Sequence, residues 1–156
     1  MEKSKGWTKI LTFFFVIVLG FHLIHLILLW PDIPDRIAIH FMNGDPGNGG
    51  AKWYLLIMPV IGVLTWWLLG RLTKYPEKLN YINLTEENRD RQYKMMRKTM
   101  EIMQNLVFLT FILANEAFLR DVLGAKNDIF FFLSIASLLL IPLGSFFNLV
   151  WAARLS

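Results

Sequence analysis

The chain contains no cysteine. This absence excludes disulfides, thiolate metal sites and cysteine nucleophiles. The sequence also lacks a glycine-rich phosphate loop, a serine nucleophile elbow and a dinucleotide-binding fingerprint. Histidine occurs only three times in 156 residues, so side chains that titrate near neutral pH are scarce. The sequence therefore lacks residues that several large enzyme classes need for their chemistry.

Charged residues are missing from four long stretches. Ile10–Pro31, Trp53–Gly70 and Ile129–Ala153 contain no Asp, Glu, Lys or Arg, and Ile102–Leu119 contains only Glu116. About 20 apolar residues span a bilayer as a helix. Hydrophobic residues make up 55% of the chain, more than an ordinary soluble domain of this length carries. A soluble helical bundle is the weaker alternative, because four such runs in so short a chain are unusual for one.

The pattern predicts an all-α, polytopic membrane protein with four transmembrane helices and one structured extracytoplasmic loop. The first run is too long for the apolar core of a signal peptide, and no small-residue cleavage site follows it. We therefore expect one membrane domain, 1–156. Its predicted helices are at about 10–30, 53–72, 100–119 and 129–152, with an outer loop at 31–52 and a cytoplasmic segment at 73–99.

Lysine and arginine predict the orientation. The amino terminus, the segment between the second and third runs and the carboxyl terminus together carry twelve of these residues, and the other two connections carry four. The positive-inside rule then places both termini in the cytoplasm. The net charge of +4 is explained by this asymmetry, so we expect the lipid bilayer as a partner and no nucleic acid.

The cytoplasmic segment leads into the third run without a break. No Pro or Gly interrupts Thr85 to Leu119, and Thr85 is a good N-cap residue, so one long helix is expected. Apolar side chains recur along it at spacings of three and four, namely at Tyr93, Met96, Met100, Met103 and Val107. This stripe either packs on neighbouring helices or docks a small cytoplasmic regulator.

The outer loop has an unusual composition. Residues 33–52 read IPDRIAIHFMNGDPGNGGAK, with two prolines, four glycines and the histidine His40. The prolines stiffen the segment, and the glycines permit backbone conformations that other residues avoid. Its apolar residues Ile33, Ile37, Ile39 and Phe41 predict that the segment packs down onto the helices as a lid, with Lys52 at the start of the second helix.

This loop resembles a known family. The pairs Ile33-Pro34 and His40-Phe41, followed by GDPGNGGAK, resemble the signature of a bacterial membrane domain of unknown function. The same domain forms the first part of the immunity protein of a sporulation-delaying toxin system. The likeness extends through YPEKLNY and TEENRDRQY to Tyr93, although Gly47 and Gly49 stand where the family usually has Asp and Trp. The resemblance implies a multi-spanning bacterial membrane protein acting in toxin immunity or membrane signalling.

Polar residues inside the predicted helices collect near the outer face. His22 and His25 lie three residues apart on one helix face, about 12 Å and 7 Å from the outer end. Glu116, beside Asn115, is about one turn from the outer end of the third helix, and Ser134 is in the outer half of the fourth. Ionisable residues in a membrane are costly and face the bundle interior or a wet cavity. We expect Glu116 to bond one of these residues or the loop, with an exposed ion pair to Arg120 as the rival arrangement.

Three interpretations of this group stay open. It fastens helices together, it lines a pocket for a small ligand, peptide or proton, or it binds zinc through His22, His25 and Glu116. The third is weakest, because the helical metalloprotease signature of two histidines at i and i+4 around a glutamate is absent. The candidate ligand-binding residues are His22, His25, His40, Asn43, Lys52, Asn115 and Glu116.

No catalytic residue, cofactor or metal is expected. The predicted function is a non-enzymatic protein of the bacterial inner membrane, in toxin immunity or signalling through an outer polar pocket under the His40 loop. A peptide toxin outside the cell is the expected partner, beside the regulator and the bilayer. The alternatives are a small transporter or proton-coupled carrier using Glu116 and, more remotely, a zinc-dependent membrane hydrolase.

Overall fold

A computed structural model describes residues 3–38, 49–125 and 128–155. The predicted all-α class is confirmed, since four helices are long and apolar enough to cross a membrane. The helices are α1 (Lys3–Leu29), α2 (Ile57–Leu72), α3 (Arg89–Val122) and α4 (Asp128–Ala153).

A small hairpin joins α1 to α2. Strands β1 (Arg36–Ile37) and β2 (Gly50–Ala51) pair antiparallel, with Ile37 opposite Gly50. Short 3-10 turns at Trp30–Asp32 and Lys52–Leu56 connect the strands to the helices. The expected extended segment is therefore present as far as it is described, and Lys52 begins the turn before α2, as predicted. Ile39 and Phe41 lie outside the described residues.

The hairpin packs onto the helix ends. Ile33 and Ile37 are buried in one apolar cluster with Leu26 of α1, Leu55 and Leu119 of α3. Burial of these large aliphatic side chains fixes the hairpin against the bundle by removing their surface from water. The prediction that the isoleucines hold the loop down is confirmed for Ile33 and Ile37.

Helix α3 is the centre of the bundle. It contacts each of the other three helices, and 44% of its membrane-spanning window is buried, against 11–17% for theirs. We use hairpin end for the end of the bundle that holds β1 and β2, and termini end for the opposite end, where α1 begins and α4 ends. Because α3 contacts every neighbour, its side chains decide how the helices are joined.

Close packing joins α2 to α3. A Cβ added at Gly62 of α2 would lie 3.1 Å from the Cβ of Phe111, closer than ordinary contacts. Small residues at such crossings let helix backbones approach each other in a membrane.

An aromatic contact joins α1 to α3. The rings of Phe15 and Phe108 pack edge to face, with centroids 5.9 Å apart.

Capping interactions are present at both ends of α3. The helix begins at Arg89 and not at Thr85, but Thr85 does cap the preceding turn. Its Oγ1 accepts from the Asn88 amide at 3.3 Å, and Asn88 Oδ1 accepts from the Thr85 amide at 2.9 Å. At the other end Gly124 has φ +68, and the Ala125 amide donates to the Arg120 carbonyl, which is the Schellman arrangement.

Candidate functional site

Glu116 is the centre of a polar cluster at the hairpin end. Its carboxylate accepts from His22 Nδ1 at 2.9 Å and from His25 Nδ1 at 3.0 Å to Oε1 and 3.2 Å to Oε2. Spacing of three residues puts both histidines on one face of α1, which is why both reach a single carboxylate. The Glu116 side chain is only 6% exposed. The predicted contact between Glu116 and the α1 histidines is therefore confirmed.

Arg120 supplies a third donor from α3 itself. Its Nε lies 2.7 Å from Glu116 Oε1, and its guanidinium is 4.4 Å from the ring centre of Phe130 on α4. The i,i+4 order with the acid on the amino-terminal side is the favourable one on a helix. The rival prediction of a surface ion pair bonded to Arg120 alone is wrong, because the carboxylate is buried and also holds both histidines. We name Glu116, His22, His25, Asn115 and Arg120 the hairpin-end cluster.

Asn115 completes the cluster behind His22. Its Nδ2 lies 2.8 Å from His22 Nε2, and the side chain is fully buried. Because His22 Nδ1 faces a carboxylate, that nitrogen carries the proton and Nε2 accepts from the Asn115 amide. Asn115 Oδ1 is then a buried acceptor without a hydrogen-bond partner among the described residues. Buried polar atoms of this kind are rare, since each costs about 1–3 kcal/mol.

Charges balance within the hairpin-end cluster. The Glu116 carboxylate and the Arg120 guanidinium cancel, and the two imidazoles each need only one proton, on Nδ1, to make the bonds observed. A neutral total suits a site within a membrane-spanning helix, where an uncompensated charge is expensive. The arrangement joins α1, α3 and α4 through one carboxylate and its guanidinium partner.

Other predicted site residues lie apart from this cluster. Lys52 Nζ pairs with Asp35 Oδ1 at 2.9 Å and lies 5.4 Å from the ring centre of Trp30, so its contacts are within the hairpin region. Ser134 is buried but donates to the Phe131 carbonyl of its own helix, 2.7 Å away. His40 and Asn43 lie outside the described residues. The lid over the cluster thus stays a prediction for 39–48.

The described residues include no group of three or more His, Cys, Asp or Glu side chains placed to hold a metal ion. In the hairpin-end cluster, both histidines direct Nδ1 at the carboxylate at hydrogen-bond distance, so these nitrogens are not free to share an ion. His22 Nε2 is occupied by Asn115. The zinc hypothesis gains no support from this geometry.

Sequence reasoning missed the polar contacts of α3 with α2 and α4. Trp66 Nε1 donates to Asn105 Oδ1 at 3.2 Å, and Gln104 Nε2 donates to the Trp66 carbonyl at 2.8 Å. Near the termini end, Asn148 Nδ2 donates to Thr99 Oγ1 at 2.8 Å. The available signal was the row of polar residues on α3, since side chains that bond across helices are what a membrane bundle accommodates.

Part of the chain matches a known protein family. Residues 10–63 match the family model described as "Domain of unknown function (DUF1648)", about a third of the chain. The resemblance of the loop to a domain of unknown function is confirmed to that extent. No curated protein and no solved structure matches the chain. The matched range contains His22, His25 and the hairpin, whereas Glu116, Asn115 and Arg120 lie outside it.

Proposed function

We propose that the chain is a non-enzymatic, multi-pass protein of the bacterial cell membrane that acts in toxin immunity or membrane signalling at its hairpin end. One observation carries this proposal. The carboxylate of Glu116 is held by three donors from two helices, so it joins helices and is not itself a free base or nucleophile. A site of this kind can position the hairpin and its supporting helices so that they recognise a partner.

The outward direction of the hairpin follows from the distribution of lysine and arginine. A cytoplasmic reporter fused after Ser156 should be active, and an alkaline phosphatase fusion at the same position should be inactive. The opposite pair of results would place the hairpin in the cytoplasm and remove an extracellular peptide as the partner.

Tolerance to membrane-active peptides tests the function. A deletion strain should lose tolerance to a peptide made by itself or by a neighbouring strain, and the wild-type gene should restore it. Because the hairpin-end cluster positions α1 and the hairpin, Glu116→Ala should fail to restore tolerance although the protein still reaches the membrane. Leu139→Ala is the matched control, since Leu139 is 57% exposed on the lipid side of α4. Unchanged tolerance of the deletion strain across a panel of peptides would contradict the proposal.

A proton-coupled carrier is the second candidate, and the bonding of Glu116 to two histidines inside the helices favours it. Transporters typically contain broken helices. Here α2 and α4 each continue as one helix past Pro59 and Pro142, so this feature does not support a carrier. Substrate-dependent flux in reconstituted vesicles that disappears with Glu116→Gln would establish this function. Equal flux with wild type and Glu116→Gln would remove it.

A further inference from the structure

A groove of about 280 Å³ lies between α3 and α4 near the termini end. Its walls are mainly apolar, with a short polar strip where the buried Asn148 amide donates to Thr99. The residues that matter here are Met96, Thr99, Met100, Met103, Asn148 and Leu149. The methionines of the stripe predicted on the third helix therefore line this groove, so helix packing covers only part of the stripe.

The groove lies at the level where α3 enters the apolar layer. Glu101 is the last charged residue before the stretch Ile102–Leu119, and the groove residues of α3 fall on both sides of it. A phospholipid at this depth would place its acyl carbons beside Met103 and its ester and headgroup beside Thr99 and the residues before it. Methionine side chains are unbranched and adapt to irregular apolar ligands.

Exposed cations adjoin the groove-lining residues in sequence. Lys78 adjoins the lining residue Leu79, Arg97 and Lys98 lie between Met96 and Thr99, and Arg154 follows α4, and all four cations are exposed. The acids nearest in sequence are Glu77 and Glu101, so cations exceed acids by four to two. Basic residues at a membrane surface attract anionic lipid headgroups.

From this combination we infer that the groove binds an anionic phospholipid, with one acyl chain against the methionines and its phosphodiester near Lys78 and Arg97. The site is separate from the hairpin-end cluster, so it goes beyond the proposed function and does not depend on it. It also does not depend on the orientation of the chain, since it assigns a lipid to whichever leaflet meets the termini end.

Lipid titration of the purified full chain in detergent, followed by native mass spectrometry, tests the inference. The probes are dioleoyl phosphatidylglycerol, dioleoyl phosphatidylcholine and glycerol 3-phosphate. The first should bind at least tenfold more tightly than the second, because only it brings a net negative headgroup, and the third should not bind measurably without a chain. Equal affinity for the two lipids would overturn the inference.

Two variants locate the binding. Leu149→Trp fills the groove and should reduce affinity for phosphatidylglycerol at least tenfold, whereas Leu139→Trp, on the lipid-facing side of the same helix, should leave it unchanged. Leu149→Phe serves in place of Leu149→Trp if the larger side chain prevents folding. Affinity equal to wild type in the folded groove variant would overturn the inference.

Removing the cations tests the contribution of the headgroup to affinity separately from that of the acyl chain. Arg97→Gln and Lys78→Gln should each weaken phosphatidylglycerol about fivefold and leave phosphatidylcholine unchanged. Arg91→Gln is the matched control, an exposed cation of α3 farther from the groove. An equal effect from Arg91→Gln would mean that general charge and not the groove attracts the lipid, which would also overturn the inference.

Discussion

The two ends of α3 join their neighbours by different chemistry. At the hairpin end, a carboxylate, a guanidinium and two imidazoles join α3 to α1, and Arg120 lies over a ring of α4. Near the termini end, the contact of α3 with α4 includes a neutral amide-to-hydroxyl bond between Asn148 and Thr99. Breaking a neutral bond leaves one dipole unpaired, whereas removing one ion leaves a charge uncompensated in a membrane.

This difference predicts that stability is unevenly distributed along α3. The hairpin end holds its helices through groups that need one another, because His22, His25 and Arg120 all donate to the same carboxylate. The termini end uses bonds that are individually weak, since hydrogen bonds between membrane helices average about 0.6 kcal/mol. Substitutions at the two ends test this difference directly.

The largest effect is expected from Glu116. Glu116→Ala removes the common acceptor and leaves Arg120 and two imidazoles without it, so the free energy of unfolding should fall by about 3 kcal/mol. Glu116→Gln keeps an acceptor oxygen and should lose less. Reversible unfolding in mixed micelles measures both variants. Equal losses would mean that the negative charge, which both variants remove, carries the whole effect and that the acceptor oxygen kept by Gln contributes nothing.

Next in size is the contrast between the two histidines. His22 is 2% exposed and contacts both Glu116 and Asn115, whereas the His25 side chain is 27% exposed and, among the described residues, bonds the carboxylate alone. His22→Ala should therefore lower the free energy of unfolding by about 2 kcal/mol, and His25→Ala by about half of that. The same micelle assay applies, with His25→Ala as the control for loss of an imidazole. A larger loss for His25→Ala would contradict this ranking.

A smaller effect is expected from Asn148. Asn148→Ala removes the bond to Thr99 and should lower the free energy of unfolding by about 0.6 kcal/mol, the average for such bonds. Leu139→Ala controls for truncation of a lipid-facing residue on α4. If Asn148→Ala cost as much as Glu116→Ala, the two ends of α3 would be equivalent and the comparison would fail.

The smallest effect at neutral pH is that of Tyr81, which lies between α2 and α3 at the termini end, because ionisation of its phenol matters only at high pH. Burial, with the neighbouring Tyr93 and Glu77, raises the pKa of the Tyr81 phenol from 10.0 to about 12. Its hydroxyl also donates to the Pro76 carbonyl at 2.7 Å. The raised pKa contributes stability that is complete below pH 10 and is lost as the pH rises toward 12.

Ultraviolet titration of tyrosinate tests this expectation. Wild-type protein should show one tyrosine that ionises near pH 12, and Tyr81→Phe should lose that late step while keeping the others. Tyr54→Phe, at a tyrosine 47% exposed, is the control. A late step that persists in Tyr81→Phe would assign the raised pKa to another residue.

Sequence reasoning succeeded where one-dimensional distances suffice. The missing charges located four helices, and counting rise per residue from the helix ends placed His22, His25 and Glu116 at similar depth. Depth alone made their contact predictable. The orientation of the chain, the 39–48 part of the loop and any ligand of the hairpin-end cluster stay predictions.

Rotation of helices about their axes was not predictable in the same way. The apolar runs are apolar on every side, so nothing in them says that Asn148 faces Thr99 or that Gln104 meets the Trp66 carbonyl. The hairpin strands are two residues each, too short for an alternating pattern. Lys52 was assigned to the polar group by its position after the loop, and its ion pair with Asp35 depends on a pairing that only the folded hairpin provides.

The sequence separation within the hairpin-end cluster has a consequence for biogenesis. His22 and Glu116 are 94 residues apart, and α1 leaves the ribosome long before α3 exists. Until then both imidazoles of α1 are in the bilayer or the insertion machinery without their carboxylate. Docking of α1 onto α3 is therefore a late event of membrane insertion, and a nascent chain arrested after α2 should have α1 inserted with His22 and His25 unbonded.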